Sequence, residues 1–144
     1  LRDFTALFNL TAVFSRVTVP RDASLIQTSD ARPLAGQSPF LANAALDYTN
    51  DKSGTRIRVL YNVFGPRIAQ VGSFGLPDVY EQPRHTLDFT AAQRMGEHFD
   101  VKLSLENILN APYKFTHGEG NVDANVVNEY QLGANALLYL TYSN

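Results

Sequence analysis

The feature that most constrains this chain is an alternation of apolar and polar residues that recurs in six segments, with no helical period anywhere. Successive side chains of a strand point to opposite faces, so each segment reads as a strand with one apolar and one polar side. Phe4, Ala6, Phe8, Leu10, Ala12 and Phe14 share the first apolar face, opposite Thr5, Asn9, Thr11 and Ser15. Phe40, Ala42, Ala44, Leu46 and Tyr48 form the second, and Ile57, Val59, Tyr61 and Val63 the third. Leu87, Phe89 and Ala91 form the fourth, and Phe99, Val101, Leu103, Leu105 and Leu109 the fifth. Ala134, Ala136, Leu138, Leu140 and Tyr142 complete the set. Leu7, Leu60, Phe64, Ile108 and Leu137 break the pattern by standing on the polar side. The expectation is an all-β chain, a six-stranded antiparallel meander with Phe8, Ala44, Val59, Phe89, Leu103 and Leu138 on one continuous face.

Alternation alone does not say which way the apolar face points. It turns inward in a soluble sandwich and outward to lipid in a membrane barrel. The connections separate the two. Residues 50 to 54 and 95 to 98 are tight turns carrying Gly54 and Gly96, whereas 18 to 39, 65 to 85 and 111 to 130 are long. Loops near 20 residues without structure are uncommon in compact soluble domains, while long and short connections in alternation are the habit of outer-membrane barrels. Aromatics add to this. Phe4, Tyr48, Phe99 and Tyr142 fall at the short-turn end of the apolar faces, and Phe14, Phe40, Tyr61 and Tyr130 at the other. Two aromatic levels with small residues between them suit the two headgroup boundaries of a bilayer. Strands of about 10 residues, tilted near 45°, span about 24 Å, the height of the lipid-facing band.

Composition excludes several classes. The 144 residues carry a net charge of -2 and 44% hydrophobic residues, enough for an ordered domain. The longest basic feature is the pair Arg56 and Arg58, so no nucleic-acid partner is expected. There is no cysteine, which removes disulfides and thiolate metal sites. No apolar run reaches the roughly 20 residues of a membrane-spanning helix. The opening LRDFTALF has no initiator methionine, basic leader or cleavage site, so the chain reads as a piece of a longer one. Catalysis finds no support, because no Gly-x-Ser-x-Gly elbow, phosphate-cradling glycine loop or His-Glu-x-x-His helix is present. The run HGEGNVD places His117, Glu119 and Asp123 together, an oxygen-rich set that reads more readily as a turn than as a cation site, and neither metal nor cofactor is expected. His85 and His98 read as surface histidines without partners.

In order along the chain, RPLAGQSPF (Arg32 to Phe40), LDYTND (Leu46 to Asp51), LYNVFGPRI (Leu60 to Ile68), PDVYEQPR (Pro77 to Arg84), LDFT (Leu87 to Thr90) and LENILNAPYKF (Leu103 to Phe115) resemble the C-terminal barrel strands of TonB-dependent outer-membrane receptors. The resemblance covers nearly all of residues 1 to 144, and YEQPR before a strand is its most specific part. It implies a transmembrane β-barrel of about 22 strands, filled by an N-terminal plug, that imports a scarce ligand such as an iron chelate, vitamin or oligosaccharide with energy from the TonB complex. Outer-membrane lipid, the plug and the remaining strands are then the partners, and TonB acts indirectly through the plug. The implied location is the outer membrane, with the long loops extracellular, the short turns periplasmic and Leu1 on the periplasmic side. Two departures stand out: neither plug nor coupling segment lies within these residues, and Asn144 stands where the family ends on an aromatic. The alternatives are a soluble β-sandwich binding carbohydrate or protein, and a small pore assembled from several copies.

Candidate ligand contacts follow from position. Loops on a rigid scaffold carry recognition, which selects the cations Arg21, Arg32, Arg67 and Arg84 and the aromatics Phe74, Tyr80 and Tyr113. On the polar face Arg56 and Arg58 complete the set, with Asp47 expected opposite Arg58 or Arg56. Arginines would suit an anionic chelate or phosphate, and aromatics a sugar or flat chelator, so the ligand class stays open.

Overall fold

The computed structural model describes residues 3–18, 28–119 and 123–144, whose regular structure is strand apart from one 3-10 turn at Asp123–Asn125. The long strands are β1 (Phe4–Ala12), β4 (Phe40–Asn50), β5 (Thr55–Phe64), β8 (His85–Met95), β9 (Phe99–Glu106) and β12 (Asn135–Tyr142). They form one antiparallel sheet in the order β1-β4-β5-β8-β9-β12, the expected meander. Two tight turns set its register. At the first, Asn50 Oδ1 accepts the Lys52 and Ser53 amides, and Gly54 closes the turn at φ 69°. At the second, Gly96 takes φ 71°. Positive φ carries no steric penalty for glycine, so each glycine turns the chain within a few residues.

Cross-strand partners point the same way, so the register defines the faces. Phe8 pairs with Ala44, Val59 with Phe89, and Leu103 with Leu138, which places the six expected residues on one side. The opposite side carries the rows Thr5, Asp47, Arg58, Thr90, Ser104 and Asn9, Asn43, Asn62, Thr86. Rings gather at the short-turn end of the apolar side, where Phe4 meets Tyr48 at 4.9 Å and Phe99 meets Tyr142 at 5.1 Å.

The three long connections differ from expectation. They are paired rather than structureless: β2 (Val17–Thr18) with β3 (Ala31–Arg32), β6 (Arg67–Gln70) with β7 (Val79–Glu81), and β10 (Tyr113–His117) with β11 (Val126–Tyr130). Because β7 also pairs with β10, a second sheet runs β11-β10-β7-β6 at one end of the first, in the same lateral sequence as the long strands that feed it. Two to five residues are too few to display a period, and prolines hide the continuity. Pro66 separates β5 from β6, Pro83 separates β7 from β8, and Pro112 precedes β10. Proline has no amide to donate, so the ladder stops and restarts at each. The fifth segment ends at Glu106 rather than Leu109, because Asn107 at φ 52° and Asn110 at φ 46° turn the chain.

Burial is uneven. Ile68, 2% exposed, Tyr80 and Ala111 are core residues, and all belong to the small sheet or its junction with the large one. The large sheet's apolar face is open, with Phe8 at 73%, Leu138 at 67% and Leu140 at 73% exposure. Among the described residues, the strong strand contacts are those between hydrogen-bonded neighbours.

Gly54 provides a test of the turn. A Cβ there would meet Arg94 Cβ at 2.6 Å, whereas one at Gly96 would meet nothing within 4 Å. Both replacements carry the left-handed penalty of about 1 to 2 kcal/mol. Gly54→Ala is therefore expected to destabilise more than Gly96→Ala, measured as the shift in urea midpoint of the protein refolded in lipid or detergent.

Candidate functional site

The small sheet is held by polar groups that its own strands bring together. Asp78, just before β7, is buried and accepts from Arg32 of β3 at 3.0 Å and from the Gly72 amide at 2.6 Å. A Cβ on Gly72 would lie 2.2 Å from the Leu76 carbonyl oxygen, so glycine alone allows that amide its approach. Glu81 of β7 is also buried and accepts from Arg67 of β6 at 2.7 Å, while the Arg67 guanidinium lies 4.5 Å from the Phe64 ring centre. Gln82 donates to Thr116 Oγ1 at 2.6 Å, and Thr116 donates to the Gly118 carbonyl. Buried carboxylates are tolerated where cations and amides replace water, and here every one has such a donor.

Beside this knot stand the aromatics. Tyr113 and Tyr130 stack at 5.0 Å and 10°, with Phe115 at 6.3 Å from Tyr130. Arg84 lies over the Tyr113 ring at 4.0 Å, and its Nε is buried without a hydrogen-bond partner among the described residues. A guanidinium desolvated on an aromatic face draws its stabilisation from the ring quadrupole.

Where the small sheet meets the large one, a cavity of about 260 Å³ opens between residues 13–15, the segment that follows β3, and β6 and β7. Arg67, Ile68, Tyr80 and Glu119 line it together with Phe14, Pro33, Pro39 and Pro66. Burial raises the Tyr80 phenol above its ordinary pKa, and the carboxylates of Glu119 and Asp78 push it further, so it stays a protonated donor. A second, more open cavity of about 490 Å³ lies on the polar face of the large sheet, lined by Asp47, Arg56, Arg58, Thr90 and Lys102. There Arg58 clasps Asp47 through Nε and Nη2 at 2.6 and 2.8 Å, which settles Arg58 rather than Arg56 as its partner. Lys102 sits 5.5 Å from the Tyr139 ring centre.

The seven candidate residues thus fall into three groups. Arg32, Arg67 and Tyr80 meet around the buried carboxylates, Arg84 and Tyr113 form the cation-aromatic pair, and Arg56 and Arg58 line the polar-face cavity. Of the other loop candidates, Phe74 is exposed at a turn with φ 54°, and Arg21 lies outside the described residues. In HGEGNVD, Asp123 takes a hydrogen bond from Lys114 at 2.6 Å, which holds its carboxyl below the usual range. Among the described residues no group of three His, Asp or Glu is arranged to hold a metal ion. Both histidines lie at the surface as expected, but they have partners: the His85 ring hydrogen-bonds Tyr61 Oη, and His98 contacts the Ser143 carbonyl and the Tyr142 ring. Both partners come from other strands, which sequence neighbours do not reveal. Asp78, Glu81, Gln82 and Thr116 were missed altogether.

No family model, curated protein or solved structure matches the chain.

Removing one partner of a buried pair leaves the other charge stranded, typically at a cost of 3 to 5 kcal/mol. Asp78→Asn should therefore destabilise the small sheet by about 3 kcal/mol. Hydrogen exchange should show the loss in β6, β7 and β10 while the short-turn half of the large sheet keeps its protection.

Proposed function

We propose that this chain is the C-terminal part of the wall of an outer-membrane importer of the TonB-dependent kind, a large transmembrane barrel of about 22 strands that takes up a small ligand through its lumen. The observation that carries the reading is the open apolar face of the six-stranded sheet. A soluble sandwich covers such a face with a second sheet, but here Phe8, Leu138 and Leu140 on that face stay exposed; in this reading the second sheet continues the wall. Lipid covers such a face in a barrel, and the ringed short-turn end matches a headgroup level. The other face, with its Asn43 to Asn62 and Arg58 to Asp47 contacts, suits a wet lumen, where such pairs fix register. In this reading β2/β3, β6/β7 and β10/β11 project the wall beyond the outer leaflet. The ordered resemblance of RPLAGQSPF, PDVYEQPR and LENILNAPYKF to that family supports the same assignment.

Substitution separates lipid from lumen. An arginine near the bilayer midplane costs about 2 to 4 kcal/mol on the lipid face and far less on the lumen face. Leu138→Arg should lower the folded fraction in lipid vesicles by that amount, and Asn9→Arg, on the opposite side, should leave it nearly unchanged. Equal damage from the two would sink the assignment of faces.

A further inference from the structure

We propose that the cavity between β6, β7 and residues 13–15 binds a neutral, hydroxyl-rich ligand about the size of one sugar ring, and that it discriminates against anions. The charge balance argues first. Arginines near a cavity ordinarily signal an anionic ligand, but here both are spent: Arg67 on Glu81 and the Phe64 ring, and Arg32 on Asp78. Among the described residues that line the cavity, the charge not balanced by an ion pair is the Glu119 carboxylate, which would repel an anion. The lining argues next. Pro33, Pro66 and Phe14, the last 92% exposed, offer flat apolar surface of the kind that takes the C–H face of a ring. Tyr80 Oη and the Glu119 carboxylate hydrogen-bond to each other at the cavity, and a vicinal diol can take the place of that bond, accepting from Tyr80 and donating to Glu119. A few placed polar groups in an apolar cleft are the usual composition of a small-molecule site. At about 260 Å³ the cavity is below the usual 300 to 1,000 Å³ of drug-sized sites, which limits the occupant to one ring.

This gives the importer reading a ligand class and rests on it for the use made of binding. Binding itself is measured without transport, so the two can fail separately. The test is saturation-transfer NMR on the intact protein in lipid nanodiscs, with glucose, galactose, mannose and N-acetylglucosamine as neutral probes and citrate as the anionic one. At least one sugar should receive saturation and citrate none. Glu119→Gln and Tyr80→Phe should each weaken the sugar by about tenfold, the loss of one well-placed hydrogen bond. Lys52→Ala, in the distant turn, should leave it unchanged. Glu119 is exposed, so its variant reports on the site even if Tyr80→Phe disturbs the fold. Absence of binding by all four sugars, binding of citrate as tight as any sugar, or indifference of the sugar to Glu119→Gln would each overturn the proposal.

Discussion

The structure depends on the backbone ladder of its large sheet. Six strands are held by their lateral neighbours, and among the described residues the apolar face stays open, without a covering layer to correct a wrong pairing. A slip of one residue would send every apolar side chain to the polar side, so register has to be imposed locally. It is imposed at the turns and by particular pairs across the polar face. Asn50 and Gly54 close the β4/β5 turn, and the Arg58 to Asp47 clasp repeats the same register three residues further on. Each exposed pair stabilises by only a fraction of a kcal/mol, but misregistration would lose all of them at once.

The small sheet solves a different problem. Its strands are too short and too interrupted by proline to hold by ladder bonds alone, and its core includes few large apolar side chains. Buried ion pairs and amide contacts replace them: Arg32 ties β3 to the start of β7, Arg67 ties β6 to β7, and Gln82 ties the end of β7 to β10. Such networks contribute definition more than net stability, because desolvation offsets much of the attraction. What they provide here is a fixed rim. The rim positions Tyr80 and Glu119 at a cavity, and its arginines are neutralised before any ligand arrives.

Legibility from the sequence follows that division. The large sheet was readable because strands of eight or more residues display their period, and because Gly54 and Gly96 mark the turns. The pairing of Asp47 with Arg58 was readable to within one register step, since turn length limits the choices. The small sheet was not readable. Val79–Glu81 is three residues long, and the residues flanking it, Gln82 and Asp78, bond Thr116 and Arg32, 34 and 46 positions away. The candidate arginines were found by residue type, but type could not tell that Arg32 and Arg67 already had buried carboxylates as partners. The partners of the surface histidines His85 and His98 were hidden for the same reason, since they lie on segments that only the fold brings near.

The central claim is that the apolar face of the large sheet meets lipid. The chain has no tryptophan, so a single introduced one reports its own surroundings. Leu103 and Ser104 are neighbours on β9 that point to opposite faces, and their register partners are Leu138 and Leu137. The most direct measurement is fluorescence quenching by brominated-acyl-chain lipids in vesicles containing Leu103→Trp or Ser104→Trp protein. The account predicts strong quenching for Leu103→Trp and little for Ser104→Trp, whereas equal quenching of the two, or none for Leu103→Trp, would contradict it.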